Sequence, residues 1–137
     1  MLQFYPMKTK ANDSWGIVGH RWAVRFLQRT VVSGNVSHAY LFTGPQGVGK
    51  TTLARSLAAA LLCQGEGARP CNTCRACRLV AGDSHPDLHI VASQQVGASL
   101  KIEQVRELQR QLSLTPVEGQ WRIAILCRFE EATTSAA

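Results

Sequence analysis

The chain has 137 residues, of which 45% are hydrophobic and 18% are charged. This size fits one domain or part of one, and the composition suits a packed core rather than a polyelectrolyte tail. No run approaches the ~20 apolar residues of a membrane span, and residues 1–13 lack the apolar segment of a secretory signal. The sequence therefore predicts a cytoplasmic protein with no membrane partner, in which clustered cysteines more often bind metal than form disulfides.

The net charge is +6, from 15 basic and 9 acidic side chains. An excess of positive charge is compatible with nucleic acid as a partner, because phosphate contacts dominate the affinity of such complexes. A protein that is simply basic has the same charge, so the net charge does not decide between these two readings.

Residues 1–14 show no hydrophobic periodicity, and we expect a flexible leader there. A helical pattern follows, in which arginines occupy one face and a predicted core face contains Trp22, Ala23, Phe26, Leu27, Thr30 and Val31. Gly34 is expected to end this helix. The arginine face is interpreted as solvated, with contact to phosphates as the alternative.

The most specific motif is a complete phosphate-binding loop of the pattern G-x-x-x-x-G-K-[ST]. It follows an apolar run at residues 39–42, interpreted as the first strand, and opens a predicted helix at residues 51–62. Glycines allow successive backbone N–H groups to surround an anion, and the helix N-terminus adds partial positive charge. Lys50 can reach the β- and γ-phosphates, and the Thr51 hydroxyl can ligate Mg²⁺. The predicted nucleotide-binding residues of the loop are Gly44, Pro45, Gln46, Gly47, Val48, Gly49, Lys50, Thr51 and Thr52.

Two strands and a helix are predicted beyond the loop. The strands are expected at residues 87–91 and 122–127, and the helix between them at residues 102–112. Ser99 is a candidate N-cap of this helix, and Pro116 lies beyond its end. Strands that alternate with helices indicate a parallel sheet in an α/β fold.

A cluster of cysteines interrupts the α/β pattern. Its members are spaced C-x7-C-x2-C-x2-C and are Cys63, Cys71, Cys74 and Cys77. Zinc prefers four ligands, tolerates thiolates alone and has no redox chemistry, and four protein ligands leave no position for water. We therefore predict three thiols on one tight turn, a fourth at the preceding helix end, and a structural zinc module at about residues 63–82. A catalytic zinc, a redox pair and an iron–sulfur cluster are the alternatives, and His85 is interpreted as part of a turn rather than as a ligand.

A phosphate loop whose helix runs into a four-cysteine module resembles the clamp-loader subunits of bacterial DNA polymerase III, in the gamma/tau and delta-prime families. The other matching stretches are residues 17–20, 37–42 and 85–87. Residues 100–110, followed by Pro116-Val117-Glu118-Gly119, look more like delta prime. The leader typical of gamma/tau is absent, so delta prime is favoured.

The resemblance covers about residues 15–137 and implies a three-layer P-loop domain of the AAA+ type, with strand order 5-1-4-3-2. We expect this chain to supply the first three strands and the zinc module, truncated before the rest of the sheet, the lid and the collar. Such a truncation would leave residues 1–137 alone with low thermal stability. The implied partners are other loader subunits in a hetero-oligomeric ring, the sliding clamp and primed DNA. The implied ligand is ATP, with Ile17 and Val18 contacting the adenine.

The chain departs from the family pattern at the Walker B strand, which normally ends in acidic residues. Cys127, interpreted as a packing residue, and Arg128 stand in their place. A cysteine is a poor ligand for Mg²⁺, and an arginine stays protonated and cannot act as a general base. Glu130 and Glu131 follow and are the remaining candidates for a catalytic role.

We therefore expect a delta-prime-like subunit that binds ATP, holds Mg²⁺ weakly and is impaired in hydrolysis. One alternative is an active ATPase motor subunit like gamma/tau, completed by an arginine from a neighbour. Another is a free-standing regulator that binds zinc and nucleotide, since a fold does not fix a function.

The helix at residues 102–112 offers a possible contact with DNA. Lys101, Arg106 and Arg110 are candidates for contact with phosphates. Glu103 and Glu107 alternate with these basic residues, so a salt-bridged helix surface is the favoured interpretation.

Overall fold

The computed structural model describes residues 15–17, 19–45, 47–91 and 102–127. Its elements are α1 (Arg21–Ser33), α2 (Lys50–Leu62), α3 (Arg75–Ala81), β1 (Leu88–Val91), α4 (Ile102–Leu112) and β2 (Ile123–Leu126). The leader predicted at residues 1–14 and the candidate cap Ser99 lie outside the described residues. In the described part of the chain, no helix is both long enough and apolar enough to cross a bilayer.

The two strands form a parallel sheet, with Leu88 opposite Ile123. The ladder ends in a hydrogen bond of 2.8 Å from the Cys127 N–H to the Val91 carbonyl. Parallel strands need a long crossover, and α4 lies in the segment that joins them. The α/β prediction is confirmed to this extent, and both strands lie within one residue of their predicted bounds.

The strand predicted at residues 39–42 is absent, and this part of the three-strand prediction was wrong. These residues have no regular secondary structure, and the sheet of the described residues consists of β1 and β2. A strand exists through hydrogen bonds to a neighbour, and no described segment pairs with this run. Its aromatic side chains, Tyr40 and Phe42, instead pack half-buried against a hydrophobic cluster, while Leu41 is exposed.

Helix α2 is the central element, because both hydrophobic clusters include its side chains. The first cluster joins α2 to α3 and the sheet and contains Ala58, Ala59, Leu62, Ala76, Val80, Leu88 and Ile125. The second joins α2 to α1 and the segment before it and contains Trp15, Ile17, Val24, Leu27, Leu57 and Ala60. The alanines of α2 allow its neighbours to approach closely.

The buried face of α1 matches the predicted one in part, because Leu27 and Thr30 are buried while Trp22 and Phe26 are not. Trp22 and Phe26 are 77% and 56% exposed, whereas Val24 and Leu27 are each 2% exposed. Helix α1 carries apolar side chains on two sides, and the contact with α2 selects the side that contains Val24, Leu27 and Thr30. Periodicity gives the spacing of a buried face but cannot decide between two apolar sides.

Helices α1 and α4 end where the sequence predicted, whereas helix α3 was not predicted. Helix α1 ends at Gly34, whose φ of 75° is left-handed and whose N–H donates to the Thr30 carbonyl. Helix α4 has its predicted bounds and ends where Ser113 bonds back to the Gln109 carbonyl. Helix α3 has seven residues, and its N-cap is Cys74.

Candidate nucleotide site and metal centre

The phosphate loop has the backbone geometry that its glycines permit. Gly44, Gly47 and Gly49 have φ values of 150°, 79° and 103°, conformations that L side chains rarely adopt. Gly49 is the N-cap of α2, and its carbonyl accepts from the Leu53 N–H at 2.9 Å. Helix α2 therefore begins at Lys50, one residue earlier than predicted, and its first free N–H groups adjoin the loop.

The side chains that adjoin the loop suit a phosphate group. The Lys50 ammonium donates to the Gly44 carbonyl at 2.7 Å, so it lies back across the loop. Thr51 and Thr52 are exposed in the first turn of α2. An ammonium, two hydroxyls and the N-terminus of a helix are groups from which a phosphate accepts hydrogen bonds.

Three predicted nucleotide contacts cannot be placed at this loop. Ile17 is 8% exposed and packs in the hydrophobic cluster between α1 and α2. Val18 and Gln46 lie outside the described residues. The adenine contacts assigned to Ile17 and Val18 therefore stay a prediction.

The carboxyl end of β2 carries a thiol where the Walker B pattern has an acid. Cys127 directly follows β2 and packs half-buried against the first hydrophobic cluster. It is a packing residue, as the sequence predicted. Arg128, Glu130 and Glu131 lie outside the described residues, so any part they play stays a prediction.

The four predicted metal ligands come together. The sulfur atoms of Cys63, Cys71, Cys74 and Cys77 all lie within 4.8 Å of one another. Tetrahedral zinc with a Zn–S bond of about 2.3 Å requires sulfur atoms about 3.8 Å apart, so a small contraction fits all four around one ion. Cys77 lies in the first turn of α3 rather than on a tight turn, because Cys74 caps that helix. The cluster can hold a metal.

Backbone N–H groups point at the sulfur atoms. The Cys63 sulfur accepts from the N–H groups of Gly65 and Cys71 at 3.4 Å each. The Cys71 sulfur accepts from the Cys74 N–H at 3.3 Å, and the Cys74 sulfur from the Cys77 N–H at 3.4 Å. A Cβ at position 65 would lie 2.9 Å from the Cys71 sulfur, so a glycine is required there. Such donors stabilise thiolates and orient them toward a cation.

The thiols differ in their proton affinities. Hydrogen bonds from the Thr73 backbone and hydroxyl lower the pKa of Cys71 to about 5. Burial opposes a lower pKa at Cys74, but the N–H groups of Gln64 and Cys77 outweigh it and the pKa falls. Burial raises the pKa of Cys77 to about 12. A bound cation would remove these differences, because a coordinating thiol is deprotonated outright.

His85 is not part of the cysteine cluster. It is 3% exposed, and its Nδ1 accepts from the Asp87 N–H at 3.0 Å. Among the described residues, the group that could hold a metal consists of the four cysteines and does not include His85. His85 is therefore a buried residue of the turn into β1, as the sequence predicted.

The surface of α4 is salt-bridged. The guanidinium of Arg110 contacts the Glu107 carboxylate at 2.7 Å and 3.0 Å. Hydrogen bonds from Arg110 and then from Gln111 lower the pKa of Glu107 to about 2. The favoured interpretation of this helix is confirmed for this pair, with spacing i,i+3. Lys101 lies outside the described residues, and a DNA contact through Arg106 stays a prediction.

The phosphate loop and the cysteine cluster lie at opposite ends of α2. The loop precedes Lys50, and Cys63 follows Leu62. A helix of 13 residues is about 20 Å long, so a nucleotide on the loop and a metal on the cysteines are not in contact. The cysteine cluster is therefore separate from any chemistry on a bound nucleotide.

An α/β fold whose central helix opens with this loop defines a protein of the P-loop class. A model of the family described as DNA polymerase III, delta subunit, matches residues 19–137. The chain belongs to this family, which implies an AAA+ fold.

Curated relatives carry matching names. DNA polymerase III subunit delta' of Bacillus subtilis is 37% identical over 114 residues, which are 83% of this chain and 34% of the relative. Subunit delta' of Pseudomonas aeruginosa is 36% identical over 102 residues, 74% of this chain and 31% of the relative. Subunit tau of Escherichia coli is 32% identical over 111 residues, 80% of this chain and 17% of the relative. The family expected from the sequence is confirmed, and the chain spans about a third of the length of the two delta' relatives.

Proposed function

We propose that this chain is an ATP-binding subunit of the DNA polymerase III clamp loader, which helps to place the sliding clamp on primed DNA in the cytoplasm. It acts as a delta-prime-like member of a hetero-oligomeric ring of loader subunits. Family membership and the delta' relatives support this assignment. Residues 15–137 are the N-terminal part of its AAA+ domain.

The observation that carries the proposal is the backbone of the phosphate loop. Three glycines with positive φ lead into α2, and Lys50 lies across the loop with its ammonium on the Gly44 carbonyl. The positive end of the helix and the ammonium both favour an anion at this place. A nucleotide phosphate would replace the Gly44 carbonyl as the acceptor for Lys50. Binding therefore needs little reorganisation of the chain.

Hydrolysis is impaired in this proposal, because the residue directly after β2 is Cys127 and not a carboxylate. Phosphoryl transfer needs a carboxylate that supports Mg²⁺ and a group that orients the attacking water. Cys127 occupies the first of these positions with a soft sulfur atom, which packs against the core. Mg²⁺ prefers oxygen donors and is held weakly without this carboxylate. The subunit thus holds ATP without turning it over efficiently.

The cysteine cluster holds a structural Zn²⁺. Four thiols close the coordination shell, so no position is left for a substrate or a water molecule. The ion links the end of α2, which carries Cys63, to the start of α3, which carries Cys77. Residues 63–82 form a zinc module whose role is to hold these helices together.

An active motor subunit is the second candidate, and the gamma/tau relatives favour it. Subunit gamma/tau of Mycobacterium tuberculosis is 32% identical over 120 residues, which are 87% of this chain. In this version Glu130 or Glu131 supplies the acid that Cys127 does not. A neighbouring subunit would contribute an arginine to the transition state.

Nucleotide binding and turnover separate the two candidates. The intact protein is titrated with ATP by calorimetry and assayed for single-turnover hydrolysis. We expect one binding site that Lys50→Ala removes, since this change deletes the cation of the phosphate loop. The control Arg106→Ala removes an exposed cation of α4 and should bind ATP like wild type.

The outcomes are distinct. ATP binding without turnover supports the delta-prime-like subunit. Turnover that disappears in Lys50→Ala would show an active motor instead. Equal ATP binding by wild type and Lys50→Ala would contradict a nucleotide site at this loop.

A further inference from the structure

One loop between α4 and β2 is held by a buried carboxylate. Asp87 is fully buried and accepts from the N–H groups of Val117, Glu118 and Gly119 at 2.6, 2.8 and 2.7 Å. Three such bonds to one carboxylate fix the backbone of residues 117–119 against the residue that precedes β1. The position of this loop is therefore set by the sheet.

The same loop contacts the start of α3 through an ion pair. The Glu118 carboxylate accepts from Nε and Nη2 of Arg75, both at 3.2 Å. Arg75 is the first residue of α3, and it directly follows the predicted ligand Cys74. This bidentate geometry orients the backbone on which Cys74 is carried.

The loop also packs on the end of α2. A Cβ at Gly119 would lie 2.7 Å from Cδ2 of Leu62 and 3.5 Å from a carboxylate oxygen of Asp87. Leu62 is 2% exposed and is the last residue of α2, directly before the predicted ligand Cys63. Residues 117–119 therefore contact the immediate neighbours of two of the four cysteines.

We propose that metal binding by the cysteine cluster is coupled to the order of residues 117–119, the loop that Asp87 holds against the sheet. Glu118 is a positioning residue for the ligand Cys74. Asp87 anchors this loop. The series of contacts from β1 to the cysteine cluster therefore runs through Asp87, Glu118 and Arg75. The inference rests on the zinc part of the proposed function and is independent of nucleotide binding.

The coupling between loop order and metal binding can be measured as a change in Zn²⁺ affinity. If loop order favours metal binding, then metal binding favours loop order by the same factor. Side chains of Arg75 and Glu118 are 64% and 27% exposed, so solvent screens their attraction. Exposed ion pairs of this kind contribute modestly, and we expect a change in Zn²⁺ affinity of roughly two- to five-fold.

The first measurement is the affinity of the intact protein for Zn²⁺, by competition with a chromophoric chelator. Glu118→Gln keeps the backbone N–H that Asp87 binds but removes the charge that faces Arg75, so it should weaken Zn²⁺ binding roughly two- to five-fold. Arg75→Gln should do the same, and the double variant should add nothing further. The control Glu107→Gln breaks a similar bidentate pair on α4 and should bind Zn²⁺ like wild type.

The second measurement is hydrogen exchange at the amides of Val117, Glu118 and Gly119. Removal of Zn²⁺ from the wild-type protein should speed exchange at these three amides, because the loop loses part of its support. The response should be smaller in Glu118→Gln, in which the loop and α3 are no longer paired. An ion pair that does not couple the loop to the metal would leave this response equal in wild type and Glu118→Gln.

Unchanged Zn²⁺ affinity in both Glu118→Gln and Arg75→Gln would overturn the coupling while leaving the metal site in place. Loop exchange that is equal with and without Zn²⁺ would overturn it as well. A wild-type protein that binds no Zn²⁺ would overturn the metal site and the coupling together.

Discussion

The carboxylate of Asp87 contacts the guanidinium of Arg122 at 3.3 Å, and the two side chains are 0% and 6% exposed. The guanidinium also donates to the Thr115 carbonyl at 3.2 Å and to the Gln111 side chain at 3.1 Å. This buried pair therefore joins the residue before β1, the residue before β2 and the end of α4. Buried charges are tolerated only with such partners.

Loss of the Asp87 charge should destabilise the fold. Asp87→Asn leaves the buried Arg122 without its counter-ion and weakens three bonds to backbone N–H groups, and we expect a cost of about 3 kcal/mol. The control Asp83→Asn breaks a pair with Arg55 whose side chains are 36% and 47% exposed, and it should cost less than about 1 kcal/mol. Urea denaturation of both variants measures the difference, and equal costs would contradict the buried pair.

Stability should fall in acid through Asp87. Burial alone would raise the pKa of Asp87, but three backbone N–H donors outweigh it and hold the pKa below the ordinary 3.8. A carboxyl with a depressed folded-state pKa contributes fully above its unfolded pKa and loses that contribution as the pH falls through the folded one. Unfolding free energies of the metal-free protein between about pH 6 and pH 2 should therefore decline below about pH 4. This decline should be shallower in Asp87→Asn, and identical slopes would contradict the assignment.

Metal binding should depend on four cysteines and not on the fifth. Cys71→Ser replaces a predicted ligand and should abolish stoichiometric Zn²⁺, since a hydroxyl is a poor substitute for a thiolate. Cys127→Ser changes a thiol that packs at the end of β2 and should retain one ion per chain. Metal content after dialysis checks both variants. One Zn²⁺ per chain in Cys71→Ser would refute the four-thiolate site.

The two apolar sides of α1 should differ in their effect on stability. Leu27→Ala empties a site that is 2% exposed and should cost about 3 kcal/mol. Phe26→Ala trims a side chain that is 56% exposed and should change stability by less than about 0.5 kcal/mol. Thermal or urea unfolding compares the two variants, and a larger loss in Phe26→Ala than in Leu27→Ala would contradict the burial of Leu27 against α2.

Local signals in the sequence placed most of the elements. The spacing of apolar residues predicted α1, α2 and α4. Gly34 marked the end of α1, because the residue at this position has a left-handed backbone conformation, which glycine adopts readily. The spacing of the cysteines predicted that their sulfur atoms come together, since residues a few positions apart are constrained to be neighbours. Helix α3 was missed because seven residues carry too little periodicity, although Cys74 serves as its cap.

Long-range packing decided the remainder. The face of α1 that is buried depends on where α2 lies, and residues 39–42 form no strand because no described segment pairs with them. The network around Asp87 joins residues about thirty positions apart, and no local pattern predicts it.

The sequence by itself determined the phosphate loop, the four cysteines and the family to which the chain belongs. These features depend on residue type and on short spacings along the chain, and neither depends on how distant segments pack. Only the tertiary structure decided that Lys50 lies across the loop, that Val24 rather than Trp22 is buried on α1, and that Glu118 pairs with Arg75 beside the cysteine cluster. Such contacts arise when distant segments bury their side chains together, so they are properties of the packed molecule.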